Sequence, residues 1–177
     1  MSSPIPAVFD VNILVGAATW GNSPFRSWPS PPPVSGNPAA DCLGIMVDAQ
    51  EFSLWLSPHI VGNTARVLRE GYQWSAGKAE DYVDVLADIA QNSEGDIVTP
   101  PQVVSDCPDW EENRILDLAA EVGALLIVSN DTGLLSMPPW RGTPILTPKQ
   151  FADKVDGMRR YRRRGAGQIA RDRPPAA

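Results

Sequence analysis

The sequence predicts an α/β fold: one domain built on a central, mostly parallel sheet flanked by helices. Three observations carry that expectation. Helix-type and strand-type hydrophobic patterns alternate along the chain, as they do where strands are joined by helical crossovers. The run LLIVS, 125–129, is short and almost wholly apolar, as a strand covered on both faces requires. A length of 177 residues at 43% hydrophobic suffices for one core and does not call for a second.

The first element is a strand over Ala7–Phe9, closed by Asp10 and followed by a helix containing Ile13, Leu14 and Ala17. An Asp there caps the helix or holds a metal ion, capping being the commoner use. Residues 20–38 hold much of the local Pro and Ser and no periodicity. A loop of that length is functional or disordered, and Trp20, Phe25 and Trp28 either pack it down or present a partner surface. A helix from Ala39 to about Gln50 precedes a strand in which Phe52, Leu54 and Leu56 alternate. Pro58 opens a helix that ends at Gly71, with His59 near its start read as a capping or core histidine rather than a ligand. Lys78–Gln91 is amphipathic: Tyr82, Val85, Leu86 and Ile89 share a face, while Asp81, Asp84 and Asp88 form a solvated one. GDIVTPP, 95–101, gives a short strand.

Asp106–Leu135 organises the remainder. Asp109 and Glu112, three apart at a helix start, put two carboxylates on one face. Ile115, Leu116, Ala119 and Val122 continue the apolar stripe, and Gly123 ends it where a residue free of Cβ strain is wanted. The strand LLIVS then runs into Asn130 and Asp131, with Thr132 as the cap of the next turn. Ligands in open parallel sheets bind beyond the carboxyl ends of the strands, which marks Asp131. Residues 143–156 add a last short strand and a helix, with Pro148 in its first turn.

Composition removes several function classes. His59 is the sole histidine, and Cys42 and Cys107 have no metal-ligand spacing, so zinc sites and His-based triads lack material. No apolar run approaches a membrane span of about 20 residues, and no signal pattern opens the chain. These features suit a soluble, cytoplasmic protein. The net charge of −6 hides a split. Residues 157–177 carry seven arginines against one acid, net +6, leaving eight bases and twenty acids in 1–156, net −12. The chain therefore divides into a domain over 1–156 and an arginine-rich tail over 157–177. Arg159, Arg160, Arg162, Arg163 and Arg164 either meet nucleic-acid phosphates or an acidic partner, or form a solvated, disordered tail.

Asp10, the Asp109/Glu112 pair and Asp131 lie near strand ends or helix starts. Carboxylates gathered in one cleft repel unless a cation or a shared proton compensates them. Oxygen donors without His or Cys select a hard ion, Mg²⁺ or Mn²⁺, which activates water and neutralises charge on a phosphodiester. A phosphatase of the haloacid-dehalogenase type also begins with a strand-end Asp. That chemistry wants a second Asp two residues on, where Asn12 stands, and a late Lys that 113–142 does not supply.

FDVNILV near the N-terminus, followed by DWEENRILDLA and GALLIVSND, resembles the PIN domain, the fold of VapC-type toxin ribonucleases, over roughly Ala7–Val155. The resemblance implies a three-layer domain that cuts RNA with Mg²⁺ or Mn²⁺. It implies Asp10 as the first metal-binding acid, with the polar Asn12 two positions on. Glu112 falls at the third acid, with Asp109 before it in the variant D-x-E-D-N, and Asp131 closes the S-x-D motif. The family's second acid aligns with Asn63, and the next acid is Glu70, seven residues and about 10 Å further along a helix. The reading is thus a metal-dependent endoribonuclease, the toxin of a toxin–antitoxin pair. Asp10, Glu112 and Asp131 would hold the ion, and Asp109 with Asn63 or Glu70 would support them. Its implied partners are RNA, an antitoxin protein and a second copy in a homodimer. The reading of another class is a PIN-fold binding or regulatory module with a degraded metal site, for which Asn63 argues.

Overall fold

A computed structural model describes residues 3–20, 36–48, 51–137 and 139–171, with side chains as far as 162. Most of the 20–38 loop, including Phe25 and Trp28, and the side chains of Arg163 and Arg164 lie outside the described residues.

The chain forms β1 (Ile5–Phe9), α1 (Val11–Thr19), α2 (Pro38–Asp48), β2 (Phe52–Trp55), α3 (Pro58–Tyr72), α4 (Ala76–Asn92), α5 (Trp110–Glu121), β3 (Leu126–Val128), α6 (Thr132–Ser136), β4 (Ile145–Leu146) and α7 (Pro148–Arg171). The strands pair in the order β2-β1-β3-β4, and every pairing is parallel. The α/β expectation holds. From the central β1 the chain winds outward to β2 and later returns on the other side to β3, so the strand order reverses between β1 and β3. Crevices open at such reversals. Phe9 pairs with Val128 across it, which sets the residues after both strands side by side.

Strand faces and helix stripes meet in one core. Phe9, Leu54, Ile127 and Val128 are fully buried, and the ring of Phe151 on α7 stands edge-on to both Phe9 and Phe52. Tyr82 on α4 donates its hydroxyl to the carbonyl of Leu14 at 2.6 Å, which ties that helix to α1. Asp81, Asp84 and Asp88 are exposed, as their face of α4 predicts. Ser57 caps α3 by accepting from Ile60 N, and Pro58 follows it in the first turn.

Three details differ from the expectation. GDIVTPP makes only an isolated parallel bridge, Ile97 to Leu56, because Pro100 and Pro101 lack the N–H groups that would extend the pairing. Asp131, not Thr132, caps α6. The last helix does not end near 156 but continues to Arg171. Among the described residues no helix is long and apolar enough to cross a membrane.

Candidate active site at the carboxyl ends of β1 and β3

A cleft of about 480 Å³ opens at the strand-order reversal, lined by Asp10, Asp109, Glu111, Glu112 and Asp131 together with His59, Asn63 and Arg66. The fold thus gathers acids that lie up to 121 positions apart in the chain (Asp10 to Asp131).

Asp10 occupies the N-cap position of α1, yet its side chain makes no capping bond. Its Oδ2 instead accepts from Ser129 Oγ at 2.6 Å and from Asn12 Nδ2 at 2.8 Å. Ser129 Oγ also accepts from the Asp131 backbone N–H at 2.9 Å, and Asn12 Oδ1 accepts from Asn130 N–H at 3.1 Å. The ends of β1 and β3 are therefore laced together by Asn12 and Ser129. Burial pushes the Asp10 carboxyl above its ordinary pKa, against the pull of the Ser129 and Asn12 donors, and the charge of Asp131 adds to the rise.

Asp131 Oδ1 accepts the backbone N–H groups of Gly133 at 2.7 Å and Leu134 at 3.3 Å. Its other partner is Glu112. The hydrogen bond between them, and then burial, push Glu112 up to about 7, while the same bond holds Asp131 below its ordinary range. The two carboxyls titrate as a coupled pair, with Glu112 the one that favours its neutral form. Gly133 makes room for this: a Cβ there would collide with both carboxylate oxygens of Glu112.

Asp109 caps α5 by accepting from Glu111 N–H at 2.8 Å, so it lines the cleft as part of the backbone scaffold. Asn113 fixes the approach to that cap, accepting from Cys107 N–H at 2.9 Å and donating to the carbonyls of Cys107 and Asp109.

The opposite wall is α3. Asn63 donates to Glu111 Oε2 at 2.7 Å, and its carbonyl oxygen accepts from Arg66 Nε at 3.3 Å. His59 Nε2 lies 2.6 Å from the same Glu111 oxygen, its ring edge-on to Trp110. His59 is therefore neither a cap nor a core residue, as expected from sequence, but a cleft residue. Glu70 is not brought to the cleft. It is absent from the cleft lining and pairs with Arg66, both side chains being exposed. The described arginines of the tail region also lie elsewhere: Arg159 and Arg162 face Glu51, and Arg160 pairs with Asp156.

Sequence reasoning missed Glu111, His59 and Ser129. Glu111 stands next to Glu112 without helical spacing to Asp109, and nothing local reveals that it faces α3. Ser129 carried a signal, as the first residue of S-x-D.

A family model for the PIN domain matches residues 6–133. The chain belongs to the PIN-domain family. The match contains Asp10, Asn63, Glu112 and Asp131 and ends in the first turn of α6. A search of curated proteins finds no match to the chain. PIN domains are in general nucleases, and divalent metals are their usual cofactors. The donor chemistry of this PIN domain suits such an ion, since the cleft presents carboxylates and Gly133 leaves a cradle for one of them. As the side chains stand, no three His, Cys, Asp or Glu groups among the described residues come close enough together to hold a metal. Asp10 is instead turned to Ser129, and Asp131 to the backbone N–H groups of Gly133 and Leu134.

Proposed function

We propose that this PIN domain is a metal-dependent endoribonuclease and the toxin of a toxin–antitoxin pair. One observation carries the nuclease reading: Asp10, Glu112 and Asp131, remote from one another in the chain, line a single cleft beyond adjacent parallel strands. Asp10, Glu112 and Asp131 would hold Mg²⁺ or Mn²⁺. When bound, the ion supplies an activated water and neutralises charge on the phosphodiester. The chain supplies the rest. Ser129 and Asn12 orient Asp10, the first turn of α6 orients Asp131, and Gly133 admits Glu112. The choice of RNA, the toxin role, an antitoxin partner and a homodimer rest on the resemblance to VapC-type ribonucleases.

The test is cleavage of structured RNAs by purified protein with Mn²⁺ or Mg²⁺, against EDTA and an Asp131→Asn control. Metal-dependent cutting that the substitution abolishes is the expected result. Cutting that survives Asp131→Asn or EDTA would remove the assignment. Growth arrest on expression, relieved by a small neighbouring gene product, is the outcome the toxin role requires.

The second reading, a PIN-fold binding module with a degraded site, draws on Asn63. Its amide and carbonyl are both engaged, by Glu111 and Arg66, so α3 offers the ion no carboxylate of its own at that point. Absence of Mn²⁺ binding in wild-type protein would favour it.

A further inference from the structure

Beside the carboxylate cleft lies a second cavity of about 360 Å³, within the usual size of small-ligand sites. Gly16 and Tyr72 line both, so the two adjoin. Their chemistry is opposite. The first is walled by five carboxylates, whereas the described lining of the second contains none and includes Lys149. Trp20 and Tyr72 give it two aromatic surfaces that are 61% and 50% exposed. Asn130, one residue from Asp131, also lines it. Its backbone N–H is taken by Asn12, while its side-chain amide has no hydrogen bond among the described residues. Lys149 pairs with Asp153 one helical turn away, and both are largely exposed, so the pair is weakly held and open to exchange.

We infer that this second cavity is a nucleotide subsite for single-stranded RNA, seating the base next to the phosphodiester that lies in the carboxylate cleft. The identity of the polymer rests on the nuclease reading. Exposed aromatic rings stack on any base that is not already stacked within a duplex. An amide such as that of Asn130 offers both a donor and an acceptor to a base edge. The Lys149 ammonium gives the flanking phosphate a counter-charge just where the acids of the first cleft end. A strand leaving the metal cleft along this side passes from a region that repels phosphate to one that attracts it.

The experiment measures Kd by fluorescence anisotropy, with Mg²⁺ present, in an Asp131→Asn background that keeps the probe intact. The probe is a labelled single-stranded RNA of about ten nucleotides, compared with the same sequence as a duplex. Tyr72→Ala and Trp20→Ala each weaken the single strand about tenfold, the loss expected of one stacked base. Tyr72→Phe, which keeps the ring, binds as the background does. Lys149→Ala weakens binding and lowers the salt slope by about one, as loss of a single phosphate contact does. Lys154→Ala, exposed on the same helix but outside both cavities, has no effect. Because Trp20 and Tyr72 are exposed, the substitutions leave the core intact.

Unchanged affinity in Tyr72→Ala and Trp20→Ala, or equal affinity for the duplex, overturns the subsite. Such a result beside metal-dependent cleavage by wild-type protein leaves the nuclease reading standing. Tyr72-dependent binding without any cleavage overturns the nuclease reading and keeps the subsite.

Discussion

The amide of Asn63 on α3 donates to Glu111 on α5 at 2.7 Å, across the mouth of the carboxylate cleft. Asn63 therefore acts as a holder of a carboxylate rather than as one. Replacing it by Glu sets a second negative charge against Glu111 Oε2. Both groups are partly exposed, so the repulsion costs about 0.5–1 kcal/mol, and the midpoint of thermal unfolding falls by about 2 °C. Addition of Mn²⁺ reverses the fall if the two carboxylates face the ion. A loss of stability that Mn²⁺ leaves untouched would separate this wall of the cleft from metal binding.

Asp10 is a buried acid whose pKa stands above its ordinary value, chiefly because it is desolvated. A raised pKa means that the fold prefers the neutral form. The stability Asp10 contributes is full below its ordinary value of 3.8 and is lost as pH rises through the raised one. Asp10→Asn keeps the shape and an oxygen for Ser129 and Asn12 while removing the charge. Urea unfolding at pH 7 should show a gain on the order of 1 kcal/mol, the scale of a single-site change, alongside complete loss of RNA cleavage. Destabilisation by this substitution would count against the account of the site as strained by burial.

The hydrogen bond to Asp131 and burial push Glu112 up to about 7, so below that pH it carries a proton. A metal that binds between the two carboxyls must displace that proton. Below about pH 7 the apparent Mn²⁺ affinity then falls about tenfold per pH unit, and titration calorimetry in buffers of different ionisation enthalpy registers about one proton released at pH 6. Without metal, the Glu112 contribution to stability is full below its ordinary value of 4.5 and is lost as pH rises through about 7. Asp131, held low, acts in the opposite sense: its contribution is present above its ordinary value of 3.8 and lost as pH falls through the lowered one. Mn²⁺ binding with no proton release at pH 6 would show that the pair is not the binding locus.

The atoms nearest to where a Cβ on Gly133 would stand all belong to the carboxylate of Glu112. Gly133→Ala must move the end of that flexible side chain, not the backbone. The expected outcome is a small change in stability, below about 1 kcal/mol, with cleavage and Mn²⁺ affinity reduced at least about tenfold. Equal losses in a Glu112→Gln protein with and without Gly133→Ala would show that the methyl acts only through Glu112. Additive losses would place its effect elsewhere.

The alternation of helical and strand-like runs identifies the α/β class, and the family motifs single out Asp10, Glu112 and Asp131. These features are legible because they are local. A buried strand, its terminal acid and the next helix start lie within a few residues of one another. Helix α4 is legible for the same reason, since its apolar and acidic faces follow one period. The segment around Ile97 has the composition of a strand but forms only a bridge, because pairing depends on the neighbour and the prolines that follow stop the ladder.

The sequence by itself determined the order of the elements, the acids at the ends of β1 and β3 and the exclusion of histidine-rich chemistry, all set by residue type and spacing along the chain. Only the tertiary structure decided which side chains face one another. Parallel pairing of β1 with β3 brings Asp10 to Ser129, 119 positions away. The course of α3 across the cleft turns His59 and Asn63 onto Glu111 and leaves Glu70 paired with Arg66. That the cleft adjoins the cavity beside Trp20 and Tyr72 is likewise a tertiary fact. Distances between remote residues depend on strand register and helix packing, which no local pattern encodes.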